Sequence, residues 1–137
     1  MSYGNHVGAF YIVFTFNFYC VNYTQFYIQS NGAVSFTDEY INLVNFDMPT
    51  DVYSAFIAWM WDDLDPDTPD WNDDAGGYTY YESIVIGNQN ALVIEFLEYE
   101  RFAQGPDVPQ ITAEMILFDD GRIVIQYQNV DENFIIW

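Results

Sequence analysis

The chain has 137 residues, 21 of them Asp or Glu against two arginines and no lysine, which leaves a formal charge of -19. Such a surface repels nucleic acid and anionic membrane, so both are excluded as electrostatic partners. With 51% hydrophobic and 20% aromatic residues the chain is nevertheless supplied for a core, and its length suits one folded domain over residues 1–137.

Self-repulsion on this scale opposes compaction unless salt, divalent cation or low pH relieves it, and these conditions are commoner outside cells than inside. The opening Met1-Ser2-Tyr3-Gly4-Asn5-His6 has neither the basic segment nor the apolar run of a secretion signal, so export must be argued from other features. No stretch reaches the roughly 18 apolar residues of a membrane-spanning helix, which predicts no membrane insertion. Cys20 is the only cysteine, which rules out an intrachain disulfide. Burial preference predicts a buried thiol, with a bridge between subunits as the alternative.

Along the chain the hydrophobic period is close to two. Phe10, Ile12, Phe14, Phe16 and Phe18 fall on one face of a first strand, and Tyr11, Val13, Thr15 and Asn17 on the other. Thr24 to Gln29, then Ser30-Asn31-Gly32, then Ala33 to Thr37 reads as a hairpin, because Asn-Gly between two β-rich runs is a strong turn signal. Residues 38–52 lack a clear period and read as a loop, with room for a short strand near Ile41 to Val44. Ala55 to Trp61 is a continuous apolar run, the pattern of a central strand buried on both faces. Four further strands are expected near 78–86, 91–100, 110–118 and 122–129. They are joined through Gly87-Asn88-Gln89-Asn90, the loop Gln104 to Pro109, and the tight turn Asp119-Asp120-Gly121.

No window carries a helical stripe. The fold class is therefore all-β, an antiparallel two-sheet sandwich of about 8–10 strands, in which the loops at 38–52 and 62–77 are expected to cross between sheets. The apolar end Phe134-Ile135-Ile136-Trp137 suits either an intrachain sheet edge or a strand shared with another subunit.

Between Trp61 and Asp74 the chain packs seven aspartates into fourteen residues. With so few cations available, the cluster reads as needing metal or solvent to neutralise it. Asp62, Asp63, Asp65, Asp67 and Asp70 are the candidate metal ligands, and their hard oxygens point to calcium. An EF-hand is rejected because it wants glycine where Thr68 stands and glutamate where Asp74 stands. The competing reading is a solvated acidic loop whose side chains cap turns.

Catalysis finds little support. His6 is the only histidine and would have to meet Cys20 or a serine without any supporting motif. A zinc site needs more His and Cys than one of each. Glu95, Glu98, Glu100 and Glu114 lie on expected strands, Glu95 and Glu114 among apolar neighbours, but acids in such number make a chance pair almost inevitable. Tyr78, Tyr80, Tyr81, Tyr99, Tyr127, Trp71 and Trp137 offer either a face for sugar or protein, or plain cross-strand pairing. Asn22-Tyr23-Thr24 fits a glycosylation sequon.

Phe14 to Tyr23, followed by Phe26-Tyr-Ile-Gln-Ser30-Asn31-Gly32-Ala-Val-Ser-Phe36 and then by Ile57-Ala-Trp-Met-Trp61-Asp62-Asp63-Leu64, resembles the nidogen-like extracellular β-sandwich modules. The resemblance extends through Leu92 to Phe96 and Ala113 to Phe118 to Gly121-Arg-Ile-Val-Ile-Gln-Tyr127, about residues 10 to 129. One departure is Cys20, which stands where those modules carry glycine; if that glycine served a positive φ, Cys20 occupies a costly conformation. The resemblance implies a non-catalytic extracellular adhesive or structural role and no catalytic residues. The expected function is a structural or adhesion module, extending to a self-assembling filament subunit with a calcium-stabilised loop. Its partners would be further copies of itself or other extracellular proteins and glycans. The alternative is a glycan- or protein-binding accessory module of a larger secreted protein.

Overall fold

A computed structural model describes residues 6–66, 77–102 and 109–130. Nine strands lie among them: β1 His6–Phe18, β2 Val21–Gln29, β3 Ala33–Ser35, β4 Phe56–Ala58, β5 Leu64–Asp65, β6 Tyr78–Ile86, β7 Gln89–Arg101, β8 Gln110–Phe118 and β9 Ile123–Val130. No helix occurs among the described residues. One sheet has the order β1-β2-β3-β4; in the other, β7, β8 and β9 follow in turn, and β5 and β6 each pair with β7. Every pairing is antiparallel. This is the two-sheet sandwich that the period of two predicts.

The alternation in β1 is realised as read: Ile12 and Phe16 are buried, and Phe10, Phe14 and Phe18 pack against the same core, while Tyr11 and Val13 face solvent. From the second sheet Leu92, Ile94 and Phe96 of β7 and Met115 and Leu117 of β8 meet them. The centre of this core is aromatic. Trp59 stacks on Phe96 at 4.2 Å between ring centroids, and Tyr99 meets both rings edge-on.

The Ser30-Asn31-Gly32 hairpin joins β2 to β3 as expected, but its turn is buried. Gln29 accounts for much of that. Its side-chain amide donates to the Ser35 hydroxyl at 2.7 Å and the Glu39 carbonyl at 2.8 Å, and its oxygen accepts from the Ile41 N–H at 3.0 Å. Asn31 donates to the Ile41 carbonyl at 3.0 Å. Residues 37–41 are thus laced over the turn, and every bond replaces one that water would otherwise supply. On the far side the Gly32 carbonyl accepts the N–H groups of both Trp59 and Met60, at 3.0 and 3.1 Å.

Three expectations for the middle of the chain are corrected. No strand forms at 41–44; Ile41 is instead buried with Ala33 and Phe56 in a small second core on the outer face of the first sheet. The loop at 38–52 does not cross between sheets, since it joins β3 to β4 within one sheet and covers that outer face. The Ala55–Trp61 run is not a central strand. Only Phe56–Ala58 pairs, with β3 alone, and its two buried faces are covered by the loop on one side and the main core on the other. The chain passes to the other sheet at residues 59–63, and β5, which the sequence reading does not contain, lies in the acidic segment.

Cys20 corrects another expectation, because its thiol is exposed. Tyr19 and Cys20 form the two-residue turn between β1 and β2, with φ of 48° and 66°. Both signs suit the primed hairpin turn whose twist matches the flanking strands. The costly positive φ anticipated for Cys20 is therefore present. The apolar end 134–137 and the loop around Gln104 lie outside the described residues.

Two substitutions test this account by thermal or denaturant unfolding. Cys20→Gly should stabilise the fold by about 0.5–1 kcal/mol, the relief of left-handed strain less the extra chain entropy of glycine. Gly32→Ala should destabilise by about 3 kcal/mol or more. Its Cβ would lie 1.8 Å from the Met60 carbonyl oxygen at a φ of +74°, so backbone must move.

Candidate functional site

The candidate surface is an apolar groove of about 750 Å³ at the edge where β4 ends the first sheet. Its walls come from three places that the fold brings together: Phe18, Tyr19, Val21 and Tyr23 at the β1–β2 turn, Met48 to Thr50 of the covering loop, and Ser54 to Ala58 along β4, with Ile123 at the start of β9. Tyr19 is 87% exposed, Met48 59% and Val21 51%, so the rim is apolar and in contact with water. Contiguous exposed apolar surface of this kind marks contact sites on folded proteins.

Backbone geometry adds to the side chains. Phe36 N–H bonds the Ala55 carbonyl, and Trp59 N–H bonds the Gly32 carbonyl, with Ile57 opposite Val34 between them. In an antiparallel pair such bonds fall on alternate residues, so Phe56 and Ala58 turn their N–H and C=O groups away from β3. A short strand edge therefore faces out beside an apolar groove, an arrangement that accepts another chain.

The loop forming one wall is fixed by a carboxylate. Glu39 accepts the Thr37 hydroxyl at 2.9 Å and the N–H and hydroxyl of Ser54, both at 3.0 Å. Desolvation raises its pKa, but the bonds from Ser54 and Thr37 outweigh it and hold the carboxyl below the ordinary glutamate value. Trp61 donates its indole N–H to the Asn42 carbonyl at 2.7 Å, and Asn45 returns a bond to the Trp61 carbonyl at 2.6 Å.

The acidic segment is built differently from its sequence reading. Arg101 Nε stands 3.5 Å from Asp62 Oδ2, so one arginine does serve the cluster. Asp62 also accepts from the Asp63 N–H at 2.8 Å, a turn-capping contact. Leu64 and Asp65 pair with Arg101 and Glu100, and Phe102 N–H bonds the Asp63 carbonyl at 2.7 Å. Among the described residues no three His, Cys, Asp or Glu side chains form a group able to hold a metal. Asp67 and Asp70 lie outside the described residues.

The remaining candidates are dispersed. His6 Nε2 bonds Asp38 Oδ1 at 2.7 Å, at the opposite end of β1 from Cys20, so no Cys-His pair is possible. Glu95 and Glu114 do face each other across β7 and β8, while Glu98 sits at a positive φ of 54° beside an irregularity in β7 and Glu100 accepts from Gln110 at 2.8 Å. A carboxylic acid catalyst is normally set in an apolar pocket, which exposed Glu95 lacks.

The tyrosines do not make one face. Tyr99 is wholly buried, its hydroxyl bonded to Thr79 and its pKa pushed by burial up to about 12. Tyr81 packs on Phe10 and Phe26, and Tyr127 bonds the Trp59 carbonyl, which leaves Tyr78 and Tyr80 outward on β6. Trp71 and Trp137 are outside the described residues. The groove itself escaped the sequence reading, because its walls come from segments far apart in the chain.

The family model described as NIDO related matches residues 3–135 of the chain. No curated protein matches it. No solved structure matches it either.

Because the folded pKa of Glu39 is depressed, its contribution to stability is present at neutral pH and lost as pH falls through the folded value, below about 4.5. Glu39→Gln should therefore lower stability at pH 7 by about 1 kcal/mol, with the exposed position keeping the figure small. In melts from pH 7 to pH 3 the gap between variant and wild type should close on the acid side; a gap independent of pH would show that Glu39 holds the loop by shape alone.

Proposed function

The chain belongs to the NIDO-related family, and on that premise we propose that it is a non-catalytic extracellular β-sandwich module with a structural or adhesive role, whose copies associate through the groove at β4. The observation that carries this reading is the coincidence of an outward strand edge with the apolar rim of Tyr19, Val21 and Met48. Association of this kind buries ring and aliphatic surface at low entropic cost and extends a sheet by backbone pairing.

The charge of -19 opposes it. Screening by salt, or neutralisation of the 62–70 segment by calcium, is the remedy, so assembly into filaments belongs to saline or calcium-rich surroundings. The ligand set in this proposal is Asp62, Asp63, Asp65, Asp67 and Asp70, with Asp62 also 3.5 Å from Arg101. A second reading, a glycan- or protein-binding accessory module, is favoured by the outward Tyr78 and Tyr80 rings, 6.4 Å apart on β6.

The test is sedimentation together with negative-stain electron microscopy, with the Cys20 thiol kept reduced. Wild type should form oligomers or filaments in high salt or millimolar calcium and disperse in chelator at low salt. Tyr19→Asn combined with Val21→Thr keeps a residue tolerant of positive φ in the turn and should leave monomers in every buffer. Monomeric wild type throughout would sink the association reading and favour the accessory module.

A further inference from the structure

The groove at β4 has a wall on each side of the strand edge. Met48 and Pro49 belong to the loop that covers the outer face of the first sheet, while Ile123 comes from the second sheet, on the inner side. A strand added beside Phe56–Ala58 therefore meets apolar surface with both of its faces. Such a strand is apolar at consecutive positions rather than at alternate ones. None of the residues lining the groove is charged, in a chain of which 17% is. A charged occupant would lose hydration there without gaining a partner.

The chain itself contains a segment of that kind. Phe134-Ile135-Ile136-Trp137 has no charged side chain, no Gly and no Pro, and its residues are β-prone. Four extended residues span about 13 Å, enough to run the length of the Phe56–Ala58 edge. The other uninterrupted apolar runs, such as Ile84–Ile86 and Met115–Phe118, lie in strands already paired within the second sheet. Of the remaining stretches outside the described residues, 67–76 carries Asp67, Asp70, Asp73 and Asp74, and 103–108 carries Gly105-Pro106-Asp107.

Reach decides which copy supplies the segment. Ile123, in the groove wall, and Val130 are the two ends of β9, about 23 Å apart at the rise of an extended strand. From Val130 to Phe134 the chain covers at most about 14 Å, and even Trp137 regains Ile123 only at full stretch. Phe134 and Ile135 thus fall short of the groove in their own chain.

We infer that the groove at β4 receives the segment Phe134–Trp137 of a second copy, as a strand added to the first sheet. This rests on the reading that copies associate through that groove, and it names the occupant. Groove and segment are different surfaces, so the contact is head-to-tail and repeats from copy to copy into an open row.

The test mixes two full-length variants in high salt, with the Cys20 thiol kept reduced, and reads sedimentation. Ile135→Asn with Ile136→Asn spoils the segment and leaves the groove intact; Tyr19→Asn with Val21→Thr does the opposite. Each alone should associate at least about tenfold more weakly than wild type, the scale of losing two buried aliphatic side chains. An equal mixture should give particles of two chains and no longer row, because one intact segment meets one intact groove. The asparagine variant should melt with wild type in low-salt chelator, where both are dispersed. Assembly of the asparagine variant as strong as that of wild type would overturn this inference while leaving association through the groove standing. A mixture that stays monomeric would overturn it too, as would a lowered melt of the asparagine variant, which would place the segment in its own chain. Monomeric wild type would sink the association reading itself and this inference with it.

Discussion

The fold depends on the close approach of two backbones at Gly32. Its carbonyl receives two N–H groups from Trp59 and Met60, and a side chain there would overlap the Met60 carbonyl. That contact fixes where the chain leaves the first sheet. It also places Trp59 flat on Phe96 of the second sheet, with Tyr127 bonding the Trp59 carbonyl from β9. The hairpin, the inter-sheet aromatic core and the last strand thus converge on one glycine. The polar lacing of Gln29 and Asn31 stabilises the buried turn, because it gives partners to the Glu39 and Ile41 carbonyls and to the Ile41 N–H that lie over it.

Closing the sandwich in this way leaves the first sheet lopsided. Its outer strand on this side is only Phe56–Ala58, since at Trp59 the chain is already turning toward the other sheet. Loop 36–55 then covers the outer face through Ile41, Phe56, Tyr53 and Trp61, but it does not reach over the strand edge beside Val21 and Tyr23. The groove is what remains when a short edge strand meets a loop fixed by Glu39. Electrostatics supplies the opposing influence: in the proposed association the apolar groove would draw copies together and the charge of -19 would resist it, so the ions present would set the balance.

Much of the fold was legible because half-buried strands write their faces into alternate residues. The four later strands were read within a residue or two, and the first strand ends at Phe18 as read although it begins four residues earlier, at His6; Asn31-Gly32, Gly87-Asn88 and Asp120-Gly121 announced their turns. The Ala55–Trp61 run was legible as buried but not as what buries it, because a covering loop and a neighbouring strand demand the same apolar composition. Leu64–Asp65 was hidden for a different reason. Two residues carry no period, and their pairing with Glu100 and Arg101 is a tertiary fact. Cys20 at positive φ was legible only through family resemblance. The groove was not legible at all, since its walls lie more than a hundred residues apart in the chain, from Phe18 to Ile123.

Residue-resolved amide hydrogen exchange at dilute and at concentrated protein, in high salt, tests the central claim most directly, that the outward edge of β4 is a contact surface. Ile57, Trp59 and Met60 should be protected at both concentrations, being bonded within the sheet and to Gly32. Phe56 and Ala58 should exchange freely when dilute and become protected on concentration. Equal protection of Phe56 and Ala58 at both concentrations would mean that the edge is already satisfied within one chain, and would contradict the account.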